Sequence, residues 1–379
     1  MAYGHALCPN IRCIHMKNIL VKLGKRSYDI TVCHDSMDKL GKLLKKLNIG
    51  TDAVIITNPT IKRLFGKIVE ETLLSSGFKV RFETVPDSEK AKSEKYCLKL
   101  INNISRFDGT GRRIFIIALG GGVIGDLSGF VASIYKRGVP YVQVPTTLLA
   151  QVDSSIGGKV AIDLAVGKNL AGSFYQPRLV FSDVNTLKSL SRNDLTSGMA
   201  EVVKYGIIRS PKLFTFLEKN YSKILKGEKK ALQSIIYTCC AIKAGVVEKD
   251  ELDNKGLRVI LNLGHTIGHA IETAAHYRKA YSHGQAVALG IIAASSIAEK
   301  IGMSDKDTGV RIKKLLRNIG LPVKMKGLKV KDIISAQARD KKFIHGKNRF
   351  VLPVKIGKVI IKEDIPMPVI KDSISALFS

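Results

Sequence analysis

The sequence predicts an α/β fold, in which a doubly wound parallel-sheet domain is followed by a mainly helical domain. In the first half of the 379-residue chain, short apolar runs alternate with amphipathic stretches, as in successive βα units. After about residue 186, long helical patterns dominate. A chain of this length suits two domains, which we expect at 1–185 and 186–379.

The first half supplies the predicted parallel sheet. The first clear strand is followed by a helix that has Pro59 near its first turn and Gly77 at its end. Two further helices, "SEKYCLKLINNISRF" and "DLSGFVASIY", separate the later strands. The predicted strands are "AVIITN" (53–58), "KVRFETV" (79–85), "RRIFIIALGGG" (112–122) and "YVQVPTT" (141–147).

The second half predicts a helical domain with one short strand pair. Three stretches have helical apolar spacing over many turns: "LTSGMAEVVKYGII", "KKALQSIIYTCCAIKAGVVEKD" and "GQAVALGIIAASSIAEKIGM". Near the end, "RFVLPVKIGKVIIKED" reads as two strands joined by a glycine turn.

The charge balance is strongly basic, with 61 Lys and Arg against 32 Asp and Glu and a net charge of +29. Such a charge raises the possibility of a nucleic-acid partner. However, the basic residues are spread along the chain, and no zinc finger, RNA-recognition signature or basic arm accompanies them. We therefore expect no nucleic-acid function; most charges lie on solvated faces and a minority line a site for anionic ligands.

Membrane and secreted classes are not expected. No run approaches the eighteen or more apolar residues of a membrane span, and the start lacks the continuous apolar core of a signal peptide. The six cysteines are sparse for a disulfide framework and read as reduced thiols. The sequence thus predicts a soluble, cytoplasmic protein without a membrane partner.

A glycine turn follows the third predicted strand. "GGGVIG" (120–125) satisfies G-x-G-x-x-G between a strand and a helix, where glycine lets the backbone approach a phosphate and the helix N-terminus favours an anion. A tight turn without a ligand is the alternative. Since the next strand ends "VQVPTT" without an acidic residue, a nucleotide site of another layout fits better than the usual dinucleotide fingerprint.

The stretch "DSSIGGKVAIDLAVGKN" is glycine-rich and is predicted to form a loop. It gathers Asp153, Lys159, Lys168 and Asn169. Two lysines, an amide and exposed backbone N–H groups suit an anionic substrate with hydroxyls. A solvated surface loop is the alternative.

The stretch "GLRVILNLGHTIGHAIE" has an unusual polar face. If one helix runs through it, Arg258, Asn262, His265 and His269 share that face. A polar face on a core helix is costly unless it lines a site. The two histidines have the H-x-x-x-H spacing of a metal site, although hydrogen-bonded or surface histidines are the alternative.

A metal site in this region needs further ligands. The glutamate of H-E-x-x-H is absent, and a catalytic site requires three protein ligands and an open position. Two candidates lie elsewhere: His283, which opens an apolar helix, and Glu201 in "SGMAEVVKYG", with Lys204 one turn later.

Taken together and in order, several segments resemble the 3-dehydroquinate synthase family of the shikimate pathway. The resemblance covers the chain from about residue 18 to 360. The matching segments are "PDSEKAKS", "LGGGVIGDLSGFVASIYKRGVPYVQVPTTLLAQVDSSIGGK", "GKNLAGSFYQP", "GMAEVVKYGII", "GLRVILNLGHTIGHAIE", "HGQAVALG" and "RDKK".

The resemblance implies a Rossmann-like NAD-binding domain, a helical metal-binding domain, a cleft between them and a homodimer. It implies conversion of 3-deoxy-D-arabino-heptulosonate 7-phosphate to 3-dehydroquinate and phosphate, in aromatic amino acid biosynthesis. NAD is not consumed: a hydroxyl is oxidised, phosphate is eliminated, the carbonyl is reduced again and the ring closes by an aldol step. Zinc or cobalt would hold the substrate hydroxyls.

The resemblance also assigns roles residue by residue. The implied metal ligands are Glu201, His265 and His283, with His269 near the substrate phosphate instead, and Arg137 is implied to reach the phosphate in the neighbouring subunit. The other implied substrate and catalytic groups are Asp153, Lys159, Asn169, Lys204, Lys243, Arg258, Asn262 and Lys341 or Lys342. The implied NAD contacts are Asn58, Glu89, Lys92, Gly121, Gly122, Val123, Asp126, Thr146, Thr147, Lys159 and Lys168.

The chain departs from the family pattern in a few places. Ser88, Val160 and Asp163 replace the usual Gly, Thr and Asn, and "VVEKDELDNKGLR" is one residue longer than usual. Residues 1–15 have no counterpart and are expected to be a disordered extension or to precede a start at Met16. The alternatives in function are a sister sugar-phosphate cyclase of the valiolone or scyllo-inosose synthase type, a metal-dependent polyol dehydrogenase and a polyanion-binding module.

Overall fold

A computed structural model describes residues 16–275, 281–338 and 348–378 of the protein, and these residues include eleven strands. In chain order they are β1 Met16–Val21, β2 Tyr28–Cys33, β3 Asp52–Thr57, β4 Lys79–Thr84, β5 Ile114–Gly120, β6 Tyr141–Pro145, β7 Lys159–Leu164, β8 Gly167–Phe174, β9 Leu179–Asp183, β10 Arg349–Lys355 and β11 Lys358–Glu363.

The helices are α1 Leu40–Leu47, α2 Pro59–Ile61, α3 Lys67–Ser75, α4 Glu94–Phe107, α5 Gly122–Ile134, α6 Arg192–Arg209, α7 Pro211–Leu225, α8 Lys229–Val247, α9 His265–Ala274, α10 His283–Lys300, α11 Lys306–Ile319, α12 Val330–Ala338 and α13 Met367–Ser375. A π-helical turn, Lys62–Gly66, joins α2 to α3.

A seven-stranded sheet organises the first half, in the order β1-β2-β9-β6-β5-β3-β4. All neighbours pair in parallel except β1 and β2. Every residue of β3, β5, β6 and β9 is buried, because helices cover both faces of a parallel sheet. The predicted α/β fold class, with a helical second part, is confirmed.

The helical part packs on one side of this sheet. The largest apolar core joins side chains of α6 to α13 with side chains of β2 and β9, such as Ile30 and Val180. Two smaller cores cover the two faces of the sheet, one around Leu127 and Ile116, the other around Leu73 and Ile55. The predicted strand pair near the end is confirmed as β10 and β11.

Two local predictions were wrong. The glycine-rich stretch after Asp153 is not a loop, because β7 and β8 form an antiparallel hairpin in it. One helix does not run through residues 256–272 either. A 3₁₀ turn, Leu257–Asn262, is followed by Gly264 at φ 80°, and α9 begins only at His265. The left-handed backbone of Gly264 ends the turn and redirects the chain.

Helix α8 is long and apolar enough to cross a membrane, by length and composition. Most of it is nevertheless buried among the other elements, and it packs beside β1 and β2. Burial of this kind is typical of a core helix in a soluble protein.

Two glycines of α10 allow close packing of the three helices that matter for the site. A Cβ on Gly284 would lie 1.9 Å from the carbonyl oxygen of Ser197 in α6. A Cβ on Gly290 would lie 1.9 Å from the carbonyl oxygen of Gly264, just before α9. Helix α10 therefore contacts α6 and the start of α9 at distances that no larger residue permits.

Candidate active site

A cleft of about 530 Å³ lies between the sheet half and the helical half. From the sheet half it is lined by Asp126 at α5, Asp153 and the β7–β8 hairpin, and from the helical half by α8, the 3₁₀ turn and α10. The predicted site residues among its lining are Asp126, Asp153, Lys159, Asn169, Lys243, Arg258 and His283.

Three side chains that could ligate a metal converge beside this cleft. One ligand atom from each of Glu201, His265 and His283 lies within 4.8 Å of the others. Nε2 of each histidine lies 3.5 Å from Oε1 of Glu201. That oxygen is buried and accepts no hydrogen bond from the described residues. An orphaned buried carboxylate oxygen facing two imidazole nitrogens suits a divalent cation of the zinc type.

The electrostatics of this group also favour a cation. Burial lowers the pKa of His283, but the nearby carboxylates of Glu201 and Glu272 outweigh burial and raise that pKa to about 10. Glu272 contacts the other ring nitrogen, with Nδ1 of His283 3.3 Å from its Oε1. Two carboxylates on one imidazole concentrate negative charge that a metal ion would neutralise.

Asp153 is the centre of a buried polar network. Nζ of Lys204 lies 3.3 Å from its Oδ2, and Lys243 donates to its carbonyl oxygen at 2.9 Å and to its carboxylate. Tyr205 donates to Oδ1 at 3.1 Å. Although burial raises the pKa of Asp153, Lys204 and Lys243 hold it well below its usual range. The carboxylate therefore stays ionised and fixes both lysine side chains at the cleft.

Lys204 also joins this network to the metal-binding group, since its Nζ pairs with Oε2 of Glu201. Attraction to Asp153 and Glu201 outweighs burial and raises the pKa of Lys204. The lysine is charged and bridges the two carboxylates.

Arg258 reaches the cleft from a loop that is held by a buried carboxylate. Asp250 accepts hydrogen bonds from the backbone N–H groups of Asn254, Lys255, Leu257 and Arg258. The guanidinium of Arg258 donates from Nη1 to the carbonyl oxygens of Gly157 and Glu251. Its buried Nε has no partner among the described residues. The loop thus presents a fixed cation to an anionic ligand.

On the sheet side, Lys92 connects two predicted site residues. It donates to Oδ2 of Asp126 at 2.8 Å and to Oδ1 of Asn169 at 2.5 Å. Asp163, one of the departures from the family pattern, accepts the backbone N–H of Asn169. Lys159 pairs with Asp253, which lies in the loop that is one residue longer than usual.

Several of the predicted dinucleotide residues lie at the carboxyl ends of β3, β5 and β6. Asn58 follows β3, Gly121 and Gly122 open α5 after β5, and Thr146 and Thr147 follow β6. The chain leaves β3 and β5 in opposite directions across the sheet, so the crevice between them is a topological switch point. Such crevices, with a helix N-terminus beside them, bind dinucleotides.

The structure places the remaining predicted residues less centrally. Glu89 pairs with Lys168 at 3.4 Å, and both side chains are exposed. The ring of His269 is 5.4 Å from that of His265 and 6.4 Å from that of His283. Arg137 is exposed and does not line the cleft of its own chain. Lys341 and Lys342, like residues 1–15, lie outside the described residues.

Three polar residues that hold the predicted site residues in place were not predicted from the sequence. Tyr205 follows Lys204 directly and supports Asp153. Asp250 organises the loop of Arg258. Glu272 contacts His283, and its spacing of seven residues from His265 places it on the same helix face, which is a signal that could have revealed it.

Comparisons with known proteins agree over most of the chain. The family models "3-dehydroquinate synthase N-terminal" and "3-dehydroquinate synthase C-terminal" match residues 82–197 and 198–343. A 3-dehydroquinate synthase of Desulforamulus reducens is 46% identical over 92% of this chain and 97% of its own length. Those of Pelotomaculum thermopropionicum and Nostoc punctiforme are 44% and 41% identical, each over 95% of this chain and 97% and 99% of their own.

Solved structures share the fold. A 2-deoxy-scyllo-inosose synthase, complexed with carbaglucose-6-phosphate, NAD⁺ and Co²⁺, has a TM-score of 0.87 at 24% identity, over 96% of this chain and 100% of its own. The 2-epi-5-epi-valiolone synthase of Streptomyces hygroscopicus, with NAD⁺ and Zn²⁺ bound, has a TM-score of 0.83 at 23% identity, over 92% and 96%.

The two family models together cover more than half of the chain, and full-length relatives exceed 40% identity. The chain belongs to the 3-dehydroquinate synthase family.

Proposed function

We propose that the protein is a 3-dehydroquinate synthase, a lyase that converts 3-deoxy-D-arabino-heptulosonate 7-phosphate to 3-dehydroquinate and phosphate with no net redox change. Aromatic amino acid biosynthesis is then its pathway. One observation carries the proposal. Among the described residues, the buried lysines and arginines are Lys92, Lys204, Lys243 and Arg258, and each belongs to the set that the family resemblance assigns to the cleft.

Buried cations are costly unless they are paired or serve a ligand. Three of these four, Lys92, Lys204 and Lys243, have carboxylate partners, while the hydrogen bonds that Arg258 donates to described residues go to backbone carbonyls. A substrate that carries both a carboxylate and a phosphate would complete this arrangement, because it brings negative charge to Arg258, whose hydrogen-bond partners among the described residues are neutral carbonyl oxygens.

NAD and a divalent metal, zinc or cobalt, are the proposed cofactors. Gly121 and Gly122 at the start of α5 and Asn58 after β3 would hold NAD, while Glu201, His265 and His283 would hold the metal. When bound, NAD supplies reversible hydride transfer and the metal polarises substrate hydroxyls. The similarity of the fold to solved synthases that contain NAD⁺ and a metal ion, together with the convergence of the three candidate ligands, supports both cofactors.

The chain's own residues have distinct tasks in this proposal. Lys159, Asn169 and Arg258 bind and orient the anionic substrate, since they line one cleft. The ionised Asp153 holds Lys204 and Lys243 in place beside it. His269 lies next to the metal-binding histidines and would contact the substrate phosphate.

We further propose that the protein acts as a cytoplasmic homodimer, in which Arg137 completes the partner's site. Support for the dimer is that Arg137 is exposed and does not line its own cleft, and that Ile134, three residues earlier, is an exposed apolar side chain. Support for the cytoplasm is that Cys33, Cys97, Cys239 and Cys240 are buried free thiols.

The test of this function is phosphate release at low NAD. With zinc or cobalt and NAD at about one equivalent per subunit, many equivalents of heptulosonate should yield phosphate and 3-dehydroquinate in equal amounts, and no NADH should accumulate. Absence of phosphate release with both cofactors supplied would refute the proposal. NADH formed in proportion to consumed substrate would instead indicate a polyol dehydrogenase.

A further inference from the structure

We propose that Glu272 is a positioning residue, which holds the imidazole of His283 in the tautomer and ring orientation that a metal at Glu201, His265 and His283 requires. The inference rests on the proposed metal site and adds to it a residue that is not itself a ligand.

The ring of His283 lies between two carboxylates that contact opposite nitrogens. Nδ1 is 3.3 Å from Oε1 of Glu272, and Nε2 is 3.5 Å from Oε1 of Glu201. A carboxylate at Nδ1 accepts the ring proton there and leaves the lone pair of Nε2 directed at the ligand group. Glu272 therefore selects the tautomer in which Nε2 can ligate.

His265 obtains the same orientation in a different way. Its Nδ1 lies 3.2 Å from the carbonyl oxygen of Leu263, and its Nε2 is also 3.5 Å from Oε1 of Glu201. A main-chain carbonyl cannot be removed by substitution, whereas the carboxylate of Glu272 can. The orientation of His283 is thus the one that depends on a side chain.

His283 also needs more help from a partner than His265 does. It is the first residue of α10, and 32% of its side chain is exposed, against 12% for His265. Packing alone confines a partly exposed side chain poorly, so a hydrogen bond is needed to fix the ring.

Glu272 is well placed for this task by the packing of α9 on α10. It lies two turns after His265 on α9, so one helix carries both a ligand and the carboxylate that orients the ligand of the next helix. The close approach at Gly290 fixes the two helices relative to each other. Glu272 is not part of the group whose ligand atoms lie within 4.8 Å of one another.

The test is Co²⁺ affinity, measured by chelator competition together with the absorption spectrum of the bound ion, for the wild type, Glu272→Ala, Glu272→Gln and His283→Ala. We expect Glu272→Ala to weaken Co²⁺ binding by about 10- to 100-fold and to alter the spectrum. Glu272→Gln should recover part of this loss, because its amide oxygen can still accept the Nδ1 proton. His283→Ala should lose more affinity than either variant.

Glu299→Gln is the matched control for the loss of one negative charge. Glu299 is exposed and lies 16 residues after His283 on the same helix, about 24 Å along its axis, so it should leave Co²⁺ affinity unchanged. Thermal unfolding of each metal-free variant checks that it is folded, and the isosteric Glu272→Gln keeps the test open if Glu272→Ala unfolds.

The outcomes separate this inference from the metal site on which it rests. Wild-type affinity and spectrum in both Glu272 variants would overturn the positioning role and leave the metal site intact. A loss in Glu272→Ala as large as in His283→Ala would show that Glu272 is a ligand. A wild-type protein that binds no Co²⁺ would refute the metal site itself.

Discussion

His265 and His269 stand one helical turn apart, yet the structure gives them different surroundings. Nε2 of His265 faces the buried carboxylate of Glu201, as does Nε2 of His283 from another helix. His269 is not among the three residues whose ligand atoms converge. Spacing alone would make them a ligand pair; the fold instead pairs His265 with residues far away in the chain.

This difference gives a prediction for the two histidines. His265→Ala should lose most of its metal on dialysis, because one of three ligands is removed. His269→Ala should retain the metal and lose about 100-fold in turnover, because a group beside the substrate is removed. Metal content by elemental analysis and phosphate release measure the two effects, and each variant is the control for the other. Equal metal loss in both would contradict the split.

The buried Lys and Arg side chains show which site residues could be predicted from the sequence. Lys92, Lys204 and Arg258 were predicted because they lie in segments that resemble the family, whereas Lys243 lies outside those segments and was predicted from the roles that the resemblance assigns. Their partners were less predictable. Tyr205 contacts Asp153 across 52 residues, and although Asp250 contacts its own loop, the sequence does not show that its carboxylate turns inward to accept those backbone N–H groups.

Three helices carry the metal-binding group. Glu201, His265 and His283 lie on α6, α9 and α10, so their separation depends on how closely these helices pack. Gly284 faces α6, and Gly290 faces the start of α9. A capping box, in which Ser282 and Gln285 exchange hydrogen bonds, fixes the first turn of α10 at His283.

Gly284→Ala tests this packing. The added methyl group would lie 1.9 Å from a backbone oxygen, so α10 must move away from α6. We expect a loss of roughly 1–3 kcal/mol in stability, seen as a lower melting temperature, together with weaker metal binding.

Gly245→Ala is the matched control, because a Cβ at that position in α8 would meet nothing within 4 Å. It should leave the melting temperature unchanged or raise it slightly, since alanine is favoured over glycine by about 0.5–1 kcal/mol inside helices. If the two variants melted alike, close packing at Gly284 would not be what holds α10 against α6.

Elements were predicted well where apolar periodicity was long, and poorly where glycine interrupted it. The alternation in β7 places Val160 and Ile162 inside, but six residues among glycines read as a loop. Likewise, apolar spacing around Leu261 suited a continuous helix, and the sequence alone does not show that Gly264 adopts a left-handed conformation there.

At the scale of the whole molecule, the order of the strands and the family match were the most predictable features. Alternating βα units predict a parallel sheet, and the crevice beside β5 follows from that topology. The relative placement of the two halves was not predictable from patterns. It depends on the large apolar core that helices share with β2 and β9, which is assembled from contacts distant in sequence.

The positions of the basic side chains explain part of the net charge of +29. Among the described residues, four cations are buried around the cleft, whereas the other Lys and Arg side chains are exposed or partly exposed, where they raise the electrostatic potential that an anionic substrate meets.

The measurement that tests the account most directly compares three substrates in the same phosphate-release assay: the heptulosonate 7-phosphate, sedoheptulose 7-phosphate and glucose 6-phosphate. Arg258 is buried, donates only to carbonyl oxygens and has an unpaired Nε among the described residues, so the cleft favours a substrate with a carboxylate. The account predicts a kcat/KM for the heptulosonate at least about 100-fold above the other two. Equal or faster turnover of sedoheptulose 7-phosphate or glucose 6-phosphate would contradict it.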